Sequence, residues 1–442
     1  MSNKTKIKLT LYSLYIIGLF IILNYWYKNS FFLLFEGTSG IFLALGRISG
    51  LLAVYSILFQ LMLIGRIKWI ERIFGHDKLS QVHHINGLFV WLFIMIHPIL
   101  IITSYSIANK VTPIAQLKDL ILNYPGIPFA FTAYIIFMIS IFMSINLIRK
   151  KIKYQYWLGI HLFIYIAILL AFSHQLKLGG DFSDNFIIFY WYFLYGFVIA
   201  NFTIFRLVIP LYTSYKQDYT LEKIVKENYN VHSFYIKARD KSKLNIQGGQ
   251  FMIFRFLAKG FWHEAHPFSI SHPNLNNEIR ITVKSVGDFT SSITSLKPGT
   301  KIIIEGPYGV FTKEKTSNNK LLFIAGGIGI TPLRSILEEI SKNKDNILIY
   351  SNKTKEDIVL QKELDSLSNN GKLKIHYWIT EDPSKSKSKF LDLNSIKNLV
   401  SDIQERDVYI CGPPPMMKSL RIQLISYGIP KQRIYYEKFS LG

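Results

Sequence analysis

Four histidines sit in two apolar stretches of this chain at nearly equal spacing: His83 and His97 in QVHHINGLFVWLFIMIHP, and His161 and His174 in WLGIHLFIYIAILLAFSH. At about 1.5 Å of rise per residue, the first pair is separated by roughly 21 Å along a helix and the second by nearly as much. Each stretch is long enough to cross a bilayer, so two imidazoles fall at each of two depths. An ionisable side chain in hydrocarbon is costly unless it is paired or bound, which makes it a functional candidate. A lone membrane histidine is as readily a helix cap or a backbone partner; two matched pairs argue instead for two metal centres stacked across the membrane. The chemistry that fits is haem iron held by one imidazole from each helix, with both axial positions filled, a centre that carries electrons and little else.

The angular spacing separates the two helices. At about 100° per residue, His97 returns to within roughly 40° of the face of His83, whereas His174 misses the face of His161 by about 140°. A bulge or kink is therefore expected between His161 and His174, of the kind a single wide helical turn provides. His84 competes with His83 but would bring the same mismatch to the first helix. His83 is preferred, and His84 is read as a polar residue at the membrane edge.

Hydropathy supplies the elements that must carry these residues. MSNKTKIK precedes an apolar run from Leu9 to Tyr27 with no small-residue cleavage pattern after it, which reads as a retained first span. Further apolar runs cover about 41–64, 85–107, 127–148, 157–176 and 186–209, making six spans. RIKWIER at 66–72 and RKKIKYQY at 149–156 place basic residues on one side, so both termini are expected in the cytoplasm of a multi-pass cell-membrane protein. His83 and His161 then share the inner depth, His97 and His174 the outer. Arg47, in ALGRISG near the outer end of the second span, either snorkels to lipid headgroups or pairs with a propionate of the outer haem or an anion formed there.

A chain of 442 residues exceeds one core, and its 50% hydrophobic content is that of a membrane half diluted by a soluble half. The net charge of +22 is accounted for by cytoplasmic loops and Lys-rich solvated faces, and nucleic acid is not expected as a partner. The single cysteine, Cys411, excludes an internal disulfide, a cysteine-ligated iron-sulfur cluster and a covalently attached haem.

After Pro210 the texture changes. Residues 216–312 alternate apolar and polar positions with Gly and Pro punctuation, the pattern of a small antiparallel β-barrel. From Lys320 onward LLFIA, NILIY, LKIHYW and DVYIC alternate with helical stretches, an open parallel sheet. The expected domains are 1–210, 216–312 and 318–442. In LLFIAGGIGITPL, Gly326, Gly327 and Gly329 follow a buried strand, and Thr331 leads into a helix opening at Pro332. Such a turn lets backbone approach a pyrophosphate at a helix N-terminus. In DVYICGPPPMMKSL, Cys411, Gly412 and Pro413 end a strand at the sheet's carboxyl edge, where ligands of such folds bind.

The order of these motifs resembles the NADPH oxidase and ferric reductase family of transmembrane flavocytochromes, and the soluble half resembles the ferredoxin-NADP reductase superfamily. HPFSIS at 266–271, GDFT at 287–290, EGPYG at 305–309, GGIGITP and CGPPPMM carry the likeness together with the four histidines. The resemblance implies that His266, Pro267, Phe268 and Ser269 line FAD, with Ser269 offering a hydroxyl to N5 or to a nearby polar edge. Thr282, Val283 and Lys284 would meet the ribityl chain and phosphates, and Gly287, Asp288, Phe289 and Thr290 would hold the pyrophosphate. Phe439, in IYYEKF, would stack on the flavin until nicotinamide displaces it. Phe439, Cys411 and Arg47 are the candidate catalytic residues.

Electrons would then pass from cytoplasmic NADPH or NADH through FAD and two b-type haems to an outer acceptor, dioxygen giving superoxide or a ferric chelate. An electron-accepting protein partner and a haem transporter or sensor are the readings from other classes. Two departures bear on this. Ile101 stands where some superoxide-forming members have a further histidine, and Ser351, Asn352 and Lys353 offer no arginine for a 2′-phosphate, so NADPH is favoured only slightly over NADH.

Overall fold

An apolar run in lipid can pair its backbone amides only within itself, which makes each of these runs a helix. The computed structural model describes residues 3–149, 151–152, 154–182, 184–240, 245–273, 277–340, 343–371, 373–381 and 390–437. Two units emerge, residues 1–74 with 78–206 and residues 75–77 with 207–442.

The first unit is helical: α1 (Asn3–Ser30), α2 (Gly37–Ile64), α3 (Lys68–Phe74), most of α4 (His76–Asn109), α5 (Pro113–Asn123), α6 (Ile127–Ser144), α7 (Asn146–Arg149), α8 (Tyr154–Leu162), α9 (Ile164–Leu178) and α10 (Asn185–Thr203). Among the described residues, six segments are long and apolar enough to span a membrane: Thr5–Phe35, Gly37–Ile64, Lys78–Asn109, Ile127–Ser144, Gln155–Leu178 and Asn185–Gln217. The second segment is 50% buried and the others at most 17%, so α2 is the central post around which the rest pack. Ile22, Leu58, Ala133, Phe137, Ala167, Ile168 and Trp191 form the core around it. Phe20, Leu169 and Phe189 point outward, as lipid-facing side chains should.

The second unit opens with α11 (Ile209–Gln217) and continues through β1 (Thr220–Lys226), β2 (Val231–Lys237), β3 (Phe251–Phe256), β4 (His266–His272), β5 (Glu278–Lys284), α12 (Asp288–Ser292) and β6 (Ile302–Tyr308). These strands form one antiparallel sheet in the order β1-β2-β5-β4-β3-β6. It curls until its edges meet at a single bridge, Thr220 to Lys301, beside the bond from Leu221 N–H to the Thr300 carbonyl at 2.9 Å. Phe234, Phe254, Phe256, Ile270 and Ile281 fill the inside.

A parallel sheet follows: β7 (Lys320–Gly326), α13 (Ile330–Glu339), β8 (Asp345–Asn352), α14 (Gln361–Asn369), β9 (Lys374–Ile379), α15 (Leu393–Leu399), β10 (Asp407–Cys411), α16 (Pro414–Ser426) and β11 (Ile434–Tyr436), in the order β11-β10-β7-β8-β9. The chain steps outward from β7 to β9 and then returns to the other side of β7. The order therefore reverses between β7 and β10, which makes their carboxyl ends the expected ligand crevice. The helix after β7 begins at Ile330 rather than at Pro332. Proline fits there because a first-turn residue needs no N–H partner inside the helix.

Candidate functional site

Within the helical unit, His97 and His174 face one another with ring centres 6.5 Å apart and planes 37° from parallel. Two imidazoles bonded to one iron from opposite sides, at about 2 Å each and with ring centres about 1 Å further back, would stand about 6 Å apart. The His97 Nδ1 lies 2.8 Å from the Gly46 carbonyl. A carbonyl only accepts, so Nδ1 bears the proton and Nε2 the lone pair a metal takes. Gly50 makes the space for this ring, since a Cβ there would fall 2.7 Å from both His97 Nδ1 and Cε1.

The other two rings, His83 and His161, are near enough to interact electrostatically. His161 Nδ1 lies 3.3 Å from Ser144 Oγ. His83 is half-buried and His84 exposed, so His83 is the member of the HH pair turned inward. The Nδ1 atoms of His83 and His174 are buried with no hydrogen-bond partner. A neutral imidazole keeps one ring nitrogen as a lone-pair donor, and all four side chains therefore suit haem iron. Among the described residues no cluster of three or more metal-binding side chains occurs. Paired imidazoles are the donor set for a metal whose remaining ligands come from a porphyrin.

The interruption expected between His161 and His174 lies at Phe163, between α8 and α9. It is tight rather than wide, with Phe163 N–H bonded to the Ile160 carbonyl three residues back at 3.1 Å. The sense is physically reasonable. The rotation from His161 to His174 falls short of a whole number of turns, and a tight turn, at about 120° per residue, adds rotation where a wide one removes it.

Arg47 turns into its unit. One guanidinium nitrogen donates to Ser30 Oγ at 3.1 Å, and Ser30 Oγ lies 2.6 Å from a carboxylate oxygen of Asp181. Burial pushes the Asp181 carboxyl above its ordinary value, against the Ser30 hydrogen bond and the Arg47 charge. Gly180 leaves room for the guanidinium, which a Cβ there would strike.

In the second unit the structure brings the two glycine motifs together. The turn after β7 packs against the turn after β10: a Cβ on Gly329 would strike the Cys411 carbonyl, and one on Gly412 would lie 3.0 Å from the Gly326 Cα. Gly327 has φ +52° and open space beside it, so it is the glycine of this turn that a ligand can approach. The Thr331 hydroxyl is engaged by the Ile328 carbonyl at 3.1 Å, and Pro332 is buried. Pro413 precedes α16 as its cap.

The residues of the flavin motif divide by what they already touch. Ser269 is buried on β4, preceded by half-buried Pro267 and Phe268. His266 Nε2 lies 2.8 Å from Glu264 Oε2, and its ring stacks on Phe289 at 3.7 Å. The Thr282 hydroxyl lies 2.9 Å from both Ser233 Oγ and Ser271 Oγ inside the barrel, and Val283 is buried, so these two have only backbone to offer a ligand. Lys284 is half-exposed. Thr290 Oγ1 accepts from Val286 and Gly287 N–H at 3.0 Å each, shaping an exposed turn around Asp288.

At the end of β8, Ser351 is buried, and Asn352 is buried with both amide atoms lacking a hydrogen-bond partner. Lys353 is exposed and pairs with Glu381 at 3.6 Å. Cys411 is fully buried, and burial followed by the charge of Glu437 pushes its thiol well above the ordinary range. It sits there as a neutral packing residue of the sheet core. Phe439 lies outside the described residues. Glu437 is the residue the sequence reading missed: a buried carboxylate following β11, next to Cys411 and Gly309. The available signal was an acidic residue directly after a short apolar strand at the same sheet edge.

Comparison with known proteins gives three family matches: "Ferric reductase like transmembrane component" over residues 49–172, "FAD-binding domain" over 220–312 and "Oxidoreductase NAD-binding domain" over 323–421. Similar proteins include a flavohemoprotein of Candida albicans, 30% identical over 240 residues covering 51% of this chain and 60% of the relative. NADH-cytochrome b5 reductase 2 of Candida glabrata is 28% identical over 217 residues, 46% of this chain and 73% of the relative. The chain thus spans about 60% of the length of the flavohemoproteins it matches. Among solved structures, the cytochrome b5 reductase domain of Ulva prolifera nitrate reductase aligns with 23% identity, 51% of this chain, 98% of that chain and a TM-score of 0.44. The flavohemoglobin of Malassezia yamatoensis aligns with 19% identity, 88% of this chain, 99% of that chain and a TM-score of 0.46. With a ferric-reductase-like transmembrane component followed by FAD- and NAD-binding oxidoreductase domains, the chain has the architecture of the NADPH oxidase and ferric reductase flavocytochromes, including their ferredoxin-NADP reductase-like half.

Proposed function

We propose that the protein takes electrons from NADPH or NADH on the cytoplasmic side of the cell membrane and delivers them to an acceptor outside, with both termini in the cytoplasm. Bound FAD would convert a two-electron hydride donor into single electrons, and two b-type haems would carry them one at a time. The chain's task is positioning. Residues 1–210 would hold the haems, the inner by His83 and His161 and the outer by His97 and His174. Residues 216–312 would hold FAD through His266 to Ser269, the β5 backbone with Lys284, and the turn from Gly287 to Thr290, with Phe439 against the ring. Residues 318–442 would seat the nicotinamide nucleotide between the two glycine turns, and Ser351, Asn352 and Lys353 would meet its adenosine side.

The observation that carries this reading is the 6.5 Å separation of the His97 and His174 rings, taken from helices 77 residues apart in sequence. The test is a reduced-minus-oxidised spectrum of detergent-purified protein, where a bis-imidazole b-type signal is expected. Its absence, or its survival unchanged in both His97→Ala and His174→Ala, would overturn the reading.

The acceptor we favour is dioxygen, giving superoxide, with Arg47 offering a positive charge near the outer end of α2. Ile101, packed on Gly46 where a histidine would mark a dedicated oxygen site, keeps a ferric chelate as the second reading. Superoxide and ferrous production measured side by side in one preparation separates the two.

A further inference from the structure

Around His161 the helical bundle holds a polar cluster whose other members have no part in the proposed electron path. Ser140 and Ser144, one turn apart on α6, both reach α8: Ser140 Oγ donates to the Ile160 carbonyl at 3.1 Å, and Ser144 Oγ meets Trp157 Nε1 at 3.1 Å and His161 Nδ1 at 3.3 Å. Ser144 Oγ also lies 2.8 Å from the Ser140 carbonyl. A hydroxyl has one proton, and the carbonyl, nearest and able only to accept, takes it. Both other contacts must then arrive as donors, the indole N–H and the imidazole Nδ1–H. His161 is thereby fixed as the tautomer whose lone pair is on Nε2. Its ring also stacks on Trp157, with centres 5.1 Å apart and planes 20° from parallel, and the Arg149 guanidinium lies over the Trp157 ring at 4.5 Å from its centre.

We infer that Ser144 is a positioning residue for the inner centre: its oxygen, shared between His161 and Trp157, sets how basic the His161 imidazole is and so the reduction potential of the group bound there. The inference rests on the reading of His161 as an axial ligand. An acceptor on Nδ1–H increases the electron density an imidazole offers to iron and favours the oxidised state, which lowers the potential. The indole N–H competes for the same oxygen and weakens that effect. The two neighbours therefore act in opposite directions.

The experiment is a spectroelectrochemical titration of both haem steps in the full-length, detergent-purified protein. Ser144→Ala is expected to move one of the two steps to higher potential and leave the other in place, and Ser144→Thr, which restores the acceptor, is expected to return it. Trp157→Phe keeps an aromatic face on His161 but removes the competing N–H, and it is expected to move the same step to lower potential. Two haems bound with neither step displaced by Ser144→Ala overturns the inference while leaving the haem reading intact. Should Ser144→Ala fail to retain haem, Trp157→Phe decides, a downward shift supporting the inference and no shift overturning it. A wild-type protein without any b-type spectrum overturns the haem reading itself and the inference with it.

Discussion

At the scale of single residues, the pairing of the four histidines could be read from residue type and spacing, and the structure brings the His97 and His174 rings to 6.5 Å of one another. What the spacing cannot express is which side chains from distant segments close around those rings. Gly50 and Gly46 on α2 and Ser144 on α6 are unremarkable letters until the helices pack, as Glu437 is until β11 lies beside β10. Gly50 gives a direct test. A methyl there would fall 2.7 Å from the His97 ring, well inside contact distance, and the ring must turn away. Gly50→Ala is expected to remove about half of the haem per chain, read by pyridine haemochrome, while the protein still inserts and purifies. Cys411 offers a second. Its thiol is wholly buried, and burial followed by the charge of Glu437 pushes it well above the ordinary range. Maleimide at neutral pH is expected to leave native protein unlabelled and to add one label per chain after denaturation, the count fixed by the single cysteine.

At the scale of elements, hydropathy located six helices and alternation located the strands, since both patterns are printed directly by burial. The register between elements was not legible. The turn at Phe163 shows why: the sequence revealed an angular mismatch but not its sense, and the chain overwinds there, which narrows the mismatch. The link between the barrel and the parallel sheet was equally hidden. Arg280 on β5 and Arg334 on α13, both nearly fully buried, converge on Glu363 of α14, with Arg280 bidentate at 2.5 and 2.9 Å and Arg334 Nε at 2.8 Å. Burial alone would raise the Glu363 carboxyl; the hydrogen bond and charge of Arg280, then the charge of Arg334, outweigh it and hold the group below its ordinary value. A carboxyl depressed in the folded state contributes stability that is present above its unfolded value and lost as pH falls through its folded one. Glu363→Gln takes the carboxylate from buried Arg280, while Arg334 keeps its pair with Glu338 at 2.9 Å, and is expected to cost about 2–3 kcal/mol near neutral pH, less than a fully enclosed pair because Glu363 is partly solvated. The difference from wild type should shrink in acid, and denaturant unfolding of the second unit across pH measures both.

At the scale of the whole molecule, the change of texture after Pro210 was readable, and the helical unit packs around a core of its own, Ala133, Phe137, Ala167 and Trp191 among it. Two separately cored units imply separable chemistry. The FAD- and NAD-binding domain matches both fall in the second unit, and the four histidines of the proposed haem sites all fall in the helical unit. Loss of a histidine should therefore leave hydride acceptance intact and remove export alone. For His174→Ala, NADH or NADPH oxidation with a water-soluble dye as acceptor is expected to stay within about twofold of wild type, since positioning around the flavin is untouched. Reduction of an acceptor confined to the outside of proteoliposomes is expected to fall by at least roughly 100-fold, the scale on which even the outer partners of a metal ligand matter. Gly327→Val should do the reverse. It places a branched side chain where φ is +52° and the space beside the turn is open to a ligand, so nucleotide access is lost while both haems remain reducible by dithionite. If the dye reaction collapsed together with export in His174→Ala, the two units would not be chemically separable, and a single electron path running from soluble unit to membrane unit would have to give way to one in which nucleotide oxidation depends on the haem-binding helices.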